Sequence, residues 1–177
     1  MAKRRLLKPA LFICDMQEKF RPAIWEFPNL IATAQKMIKA SQILNFPIYA
    51  TTQSRSRLGE TCAELKLDAP DGAKTACHVD KTAFSMWVPE VEAALSGGGA
   101  RGGGAGIEAH ICVTQTTLDL LAHGHKVYAA DGVVTTSESF LYECMGDAGI
   151  AEFKGIAGLV KGAKETTTNT MQTLCKI

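Results

Sequence analysis

The sequence predicts an α/β fold, a parallel sheet covered by helices, on three observations. A continuous apolar run, Leu11-Phe-Ile-Cys14, ends in a carboxylate, Asp15. A helical pattern follows, with apolar or small residues at 30, 31, 34, 37, 38, 41 and 44. A second apolar run, Ile48-Tyr-Ala-Thr51, comes next. Strand, helix and strand within about forty residues make a βαβ unit, whose two strands run parallel.

Leu11 to Cys14 is apolar without alternation, which marks a strand buried on both faces. Asp15 to Pro22 then loops over its carboxyl edge. The spacing over 30–44 follows the helical period, so one face of that helix packs on the sheet. Asn45 ends it, and Phe46-Pro47 turns into the second strand. Thr52 to Asp80 is polar, carries Gly59, Pro70 and Gly72, and reads as a long excursion outside the core. Pro89 opens a short helix through Leu95, since proline suits the first helical turn. A helix from Cys112 to His123 carries Leu118, Leu120 and Leu121 and stops at Gly124. Lys126 to Ala130 reads as a strand closed by Asp131, and Val133 to Thr136 as another. Ser137 caps a helix from Glu138 to Met145, a short helix covers 151–160, and the threonine-rich tail reads as loop.

Two places conflict with a parallel sheet. A strand should deliver the chain to Cys112, yet seven of the ten residues from 97 to 106 are glycine, a poor strand former with no side chain to bury. Gly97 to Gly102 matches G-x-G-x-x-G, but any glycine tract does, and no apolar strand precedes it, so it does not mark a dinucleotide site. Asp131-Gly132 between two β runs reads as a hairpin turn, whereas a parallel crossover needs about a dozen residues.

The totals describe one domain over residues 1–177, with 46% hydrophobic and 21% charged residues. Its 19 basic and 18 acidic side chains leave a net charge of +1, which offers no general attraction to nucleic acid or anionic membrane. No apolar run approaches the ~20 residues that span a bilayer. The six cysteines contain no C-x-x-C pair and read as free thiols in a reducing compartment, cytoplasm or mitochondrion. Met1 to Lys8 is basic but lacks the apolar core of a secretory signal.

Gly106-Ile-Glu-Ala-His-Ile-Cys112-Val113 places a cysteine where a turn hands over to a helix. Unpaired N–H groups there favour a thiolate and can hold a developing oxyanion. Alone, Cys112 equally suits a buried core cysteine. A nucleophile needs a base and a cation as well. Asp15 sits at a strand's carboxyl edge, where parallel sheets place ligands; Lys81 alone would read as a surface lysine.

With Asp15-Met-Gln, Lys81-Thr-Ala-Phe-Ser-Met and Gly106-Ile-Glu-Ala-His-Ile-Cys112 in that order, the chain resembles the isochorismatase-like, or cysteine hydrolase, family, and within it the eukaryotic isochorismatase-domain proteins of unassigned substrate. The likeness runs from about residue 7 to 161 and includes Thr51-Thr-Gln53, Leu58-Gly59 and Thr136-Ser-Glu-Ser139. It implies a three-layer α/β/α, Rossmann-like fold around a mainly parallel six-stranded sheet. Where that family has an apolar strand this chain has glycines, and where it has a crossover helix this chain has only Asp131-Gly132.

The resemblance further implies Cys112 as nucleophile, Asp15 as general base and Lys81 as the cation. The backbone N–H groups of Glu108 and Cys112 would form the oxyanion hole, beside a cis peptide between Ile107 and Glu108. Phe20, Gln53, Phe84 and Trp87 would line a small-molecule pocket, although simple packing suits the aromatics equally. Amidase-type relatives place metal-binding histidines just after the second strand; here Thr51-Thr-Gln-Ser-Arg-Ser-Arg57 has none, so no metal and no other cofactor is expected. The family's pocket often borrows residues from a second subunit, which implies a homo-oligomer. The activity implied is hydrolysis of a small C–N bond of the amide or imide type through a thioester-type intermediate. The alternatives are vinyl-ether hydrolysis of the isochorismatase type, whose relatives usually lack the cysteine, and a non-catalytic binding or scaffold protein.

Overall fold

The computed structural model describes residues 6, 8–68, 75–96, 101–106, 109–128 and 137–174. Among these, five strands form one sheet: β1 (Pro9–Cys14), β2 (Ile48–Gln53), β3 (Thr75–Lys81), β4 (Arg101–Gly106) and β5 (Val127–Tyr128). Their spatial order is β3-β2-β1-β4-β5, and every pairing is parallel. The sixth expected strand, Val133 to Thr136, and the Asp131-Gly132 junction lie outside the described residues.

β1 is buried throughout and distributes its side chains to two cores. Leu11 and Ile13, with Ile48 and Ala50 of β2, face a core completed by α1 (Phe27–Leu44), α5 (Ser137–Met145) and α6 (Phe153–Gly162). Ala10, Phe12 and Cys14, with Tyr49, face a second core that contains Val91 and Leu95 of α3 (Pro89–Leu95) and Leu120 of α4 (Thr114–Ala122). Helices therefore cover both faces, as the three-layer expectation required. The short helix α2 (Arg55–Leu58) lies in the loop between β2 and β3.

The helical period of the sequence corresponds to α1, where Ile31, Ala34, Met37, Ile38, Ser41 and Leu44 are buried. Asn45 closes the helix in the left-handed region, with φ of 55° and its N–H on Ser41 O.

Four readings are corrected. The polar stretch ending at Asp80 is not all excursion, because Thr75–Lys81 is β3, paired with β2 along its length. It lies at the sheet edge and is only half-buried, so no apolar pattern marks it. The glycine tract is also a strand: Arg101–Gly106 pairs residue by residue with Pro9–Cys14, and Gly102 and Gly103 pair onward with Val127 and Tyr128. Ladder hydrogen bonds need only main chain, and a fully buried β1 supplies the template. The cysteine helix starts before Cys112, in a widened turn over Ala109–Val113 that leads into α4. The tail is helical as α7 (Lys164–Leu174).

α7 is tied down by a buried cation. Lys36 of α1, with a side chain 7% exposed, places Nζ 2.5 Å from Glu138 Oε1 of α5 and 3.1 Å from Thr167 Oγ1 of α7. Thr167 in turn donates to Glu138 Oε1 at 3.0 Å. Burial alone would push the Glu138 carboxyl up, but the bonds from Lys36 and Thr167 bring it below its ordinary value of 4.5. A depressed carboxyl stabilises the fold above that value and loses its contribution as pH falls through it. Glu138→Gln leaves the Lys36 charge buried without its counter-ion, so chemical denaturation at pH 7 should show a loss of about 3 kcal/mol. The gap between variant and wild type should close as the pH is lowered through the glutamate range.

Candidate active site

The chain leaves β1 toward β2 and β3 on one side and later crosses to β4 and β5 on the other. The change of direction falls between β1 and β4, and a ligand crevice opens at such a point, beyond the carboxyl ends of the strands. Asp15 follows β1 directly and Cys112 follows β4 after one turn, so the topology places both at that rim.

Asp15 adopts a φ of 54°, a left-handed conformation that aspartate tolerates better than most residues. Its N–H donates to Thr51 O at 3.1 Å, and its carbonyl accepts from Gln17 N–H at 2.9 Å. Both carboxylate oxygens have partners: Thr51 Oγ1 donates to Oδ1 at 2.8 Å, and Lys81 Nζ donates to Oδ2 at 2.8 Å. Lys81 arrives as the last residue of β3, and the two side chains are 1% and 2% exposed. Its ammonium also reaches Gln53 Oε1 at 2.7 Å and the carbonyls of Ala83 and Phe84 at 3.1 Å each. An ammonium has three protons, so four oxygens more than satisfy it.

Cys112 sits in the widened turn and is 2% exposed. Its sulfur, the Cys14 sulfur and an Asp15 carboxylate oxygen all lie within 4.8 Å of one another. The three distant residues therefore meet, with the sulfur beside an ion pair as well as against apolar side chains. Thr116 fixes the turn: its Oγ1 donates to Cys112 O at 2.6 Å and accepts from Met86 N–H at 2.9 Å, joining the cysteine helix to the loop that follows Lys81.

A scan against family models matches residues 9–144 to the isochorismatase domain. The chain belongs to the isochorismatase family. Among curated relatives, it is 36% identical over 176 residues to the secreted isochorismatase effector Isc1 of Phytophthora sojae, covering 85% of this chain and 83% of that one. It is 38% identical over 176 residues to isochorismatase domain-containing protein 1 of Salmo salar, covering 86% of this chain but 60% of that longer relative. Among solved structures, the MAR1 ribonuclease of Caenorhabditis elegans superposes with a TM-score of 0.78 at 34% identity, covering 86% of this chain and 89% of that one.

The remaining expected residues of this isochorismatase-family site are placed as follows. Gln53 holds Lys81 through Oε1 and donates from Nε2 to Thr82 O at 2.9 Å, so its amide is engaged within the protein. Phe84 is 50% exposed and enters the site through its carbonyl. Phe20 packs against the α1 core, whereas Trp87 packs against the opposite core and stacks on His123 at 4.2 Å. Ile107 and Glu108, with the expected cis peptide and one oxyanion donor, lie outside the described residues.

Sequence reasoning missed Thr51, Cys14 and Thr116. Thr51 ends an apolar run without any mark of a role, Cys14 is hidden inside another, and Thr116 is one of three threonines in four residues. Gln17 lies in the Asp15-Met-Gln17 motif. The buried Gln17 side chain accepts from Gln53 N–H at 2.7 Å and donates to Gly59 O at 2.7 Å, pinning the β1 loop to the end of β2.

Two groups among the described residues have donor atoms close enough for a metal: Cys14, Asp15 and Cys112, and Glu18, Cys62 and Glu64. In the first, the Lys81 ammonium already occupies Asp15. In the second, Arg21 binds Glu18 at 2.5 Å and Glu64 at 2.6 Å, and burial followed by the Glu18 charge pushes the Cys62 thiol up to about 11. No helix among the described residues is long and apolar enough to cross a membrane.

Removing one partner of a buried ion pair costs about 3–5 kcal/mol. Lys81→Met should show that loss in urea unfolding, because Asp15 would keep only Thr51 and the Cys14 thiol. Asp15→Asn should cost less, since Lys81 keeps three neutral oxygens. Equal losses would contradict this asymmetry.

Proposed function

We propose that the protein is a cysteine hydrolase that cleaves a small amide, imide or related C–N bond through a covalent intermediate on Cys112. The observation that carries this reading is the meeting of the Cys112 sulfur with the Asp15 carboxylate, which Lys81 holds at 2.8 Å. Asp15 takes the thiol proton, and the Cys112 sulfur attacks the carbonyl carbon. The resulting oxyanion needs backbone N–H donors, a role for which the Cys112 N–H is the candidate among the described residues and Glu108 N–H the one that the family resemblance implies. Collapse expels the nitrogen, which takes the proton from Asp15. A water then gives its proton to Asp15 and its hydroxyl to the thioester carbon, releasing the acid and restoring the thiol. Lys81 does not need to touch substrate in this sequence; it holds Asp15 in place.

Cys112→Ala should reduce turnover of a responsive amide or imide by about a thousandfold or more, with the circular dichroism spectrum unchanged. Mass spectrometry of wild-type protein after exposure to a panel of small amides and imides should trap an acyl group on Cys112. Full activity in the alanine variant would remove the mechanism.

A second reading, cleavage of RNA, is raised by the name of the Caenorhabditis elegans relative. The net charge of +1 and the depth of Asp15 and Cys112 favour a small substrate instead. A salt-sensitive RNA complex, or RNA cleavage that survives Cys112→Ala, would reverse that preference.

We also infer a homo-oligomer, supported by Leu118 and Leu121 on α4, which are 55% and 42% exposed. Sedimentation should give a dimer or larger species, and Leu118→Glu should shift it toward monomer.

A further inference from the structure

Cys14 has no part in the hydrolytic sequence above, yet it is placed against the nucleophile. It is the last residue of β1, its side chain points into the same core as Cys112, and both are nearly fully buried, at 4% and 2% exposure. Their sulfurs lie within 4.8 Å of each other. Cys14 Sγ also stands 3.5 Å from Asp15 Oδ2, the oxygen that Lys81 holds. Both cysteines are reduced. A disulfide needs sulfurs at about 2.05 Å, so the two side chains must close the remaining distance.

We propose that Cys14 is a resolving thiol for Cys112, and that a peroxide converts the pair into a reversible disulfide. The first step is attack of the Cys112 sulfur on a peroxide oxygen. The O–O bond breaks, Cys112 becomes a sulfenic acid, and the hydroxide released leaves as water with the proton that Asp15 took from the thiol. In the second step the Cys14 sulfur attacks the sulfenic sulfur. The S–S bond forms, the S–O bond breaks, and the Cys14 proton passes to the departing hydroxide as a second water. The two thiols lose two electrons, and the peroxide is reduced to two waters.

The order of attack follows from the surroundings. The neighbouring Cys112 thiol, then burial and the adjacent Asp15 charge, hold the Cys14 thiol well above the ordinary thiol range. Cys14 therefore stays protonated until a sulfenic acid appears beside it, and Cys112 is the sulfur oxidised first. The other described cysteines are placed differently: Cys62 and Cys144 lie in the opposite core and Cys77 on the edge strand.

The loss of turnover that this disulfide would cause rests on the hydrolase reading; the cross-link does not. The test is peptide mapping of the full chain after hydrogen peroxide treatment and alkylation of the remaining thiols. The expected product is one cross-link, Cys14 to Cys112, with an intact mass lower by the two hydrogens lost and restored by dithiothreitol. In Cys14→Ser, Cys112 should proceed to sulfinic and sulfonic acids. Recovery of iodoacetamide labelling at Cys112 after reduction should then be lower than in wild type by on the order of tenfold. Cys112 oxidised while Cys14 remains fully alkylated, a cross-link from Cys112 to another cysteine, or equal recovery in Cys14→Ser would each overturn the proposal. Because mapping needs no substrate, a missing cross-link and a missing hydrolase activity are separate results.

Discussion

The buried ion pair between Asp15 and Lys81 constrains everything around it. Two charges removed from water carry a desolvation cost of several kcal/mol each, recovered only when geometry and further hydrogen bonds are good. Here the pair is enclosed by the Thr51 hydroxyl, the Gln53 amide and the carbonyls of Ala83 and Phe84. Those partners come from the end of β2 and the loop after β3, while the pair itself joins the ends of β1 and β3. Three strand ends are thereby held at one level, and the thiol of Cys112 is offered a fixed carboxylate rather than a mobile one. Such preorganisation is what a base needs in order to act without rearrangement.

The sheet topology explains why the sulfur reaches this pair. β4 pairs with β1 from Pro9–Arg101 to Cys14–Gly106, so the chain leaves both strands at the same height. The turn that follows then brings Cys112 back over the end of β1, and Thr116 joins it to Met86. A strand rich in glycine contributes little packing of its own, and its place is set by main-chain bonds to β1 and β5. The site thus depends on β1, which is buried throughout, carries Cys14 and leads directly into Asp15.

Much of this was legible in the residues, for identifiable reasons. β1, α1 and β2 announce themselves because burial on a sheet imposes apolar runs and a helical period, and Asn45 marks the helix end by its tolerance of positive φ. Asp15 is visible as a carboxylate at a strand's edge. β3 was not visible, because this edge strand is only half-buried and Thr75-Ala-Cys-His-Val-Asp-Lys81 carries no continuous apolar run. β4 was not visible because glycine erases the side-chain pattern on which strand recognition rests. The places of Cys14 and Thr51 arise from register alone: each ends an apolar run, and only the folded chain shows that one lies beside Cys112 and the other bonds Asp15. Lys81 was identified through the family resemblance, since its burial depends on three strands meeting.

In this chain two thiols, Cys14 and Cys112, stand beside the acid that Lys81 holds. We propose that the Asp15 carboxylate governs the reactivity of Cys112, and the rate of iodoacetamide alkylation at Cys112 measures that directly. At neutral pH, wild-type protein should label at Cys112 before the other buried cysteines, and Asp15→Asn should slow that labelling by on the order of tenfold or more while the other sites label as before. Alkylation of Cys112 at the same rate in both proteins would show that the acid and the sulfur are neighbours without being partners.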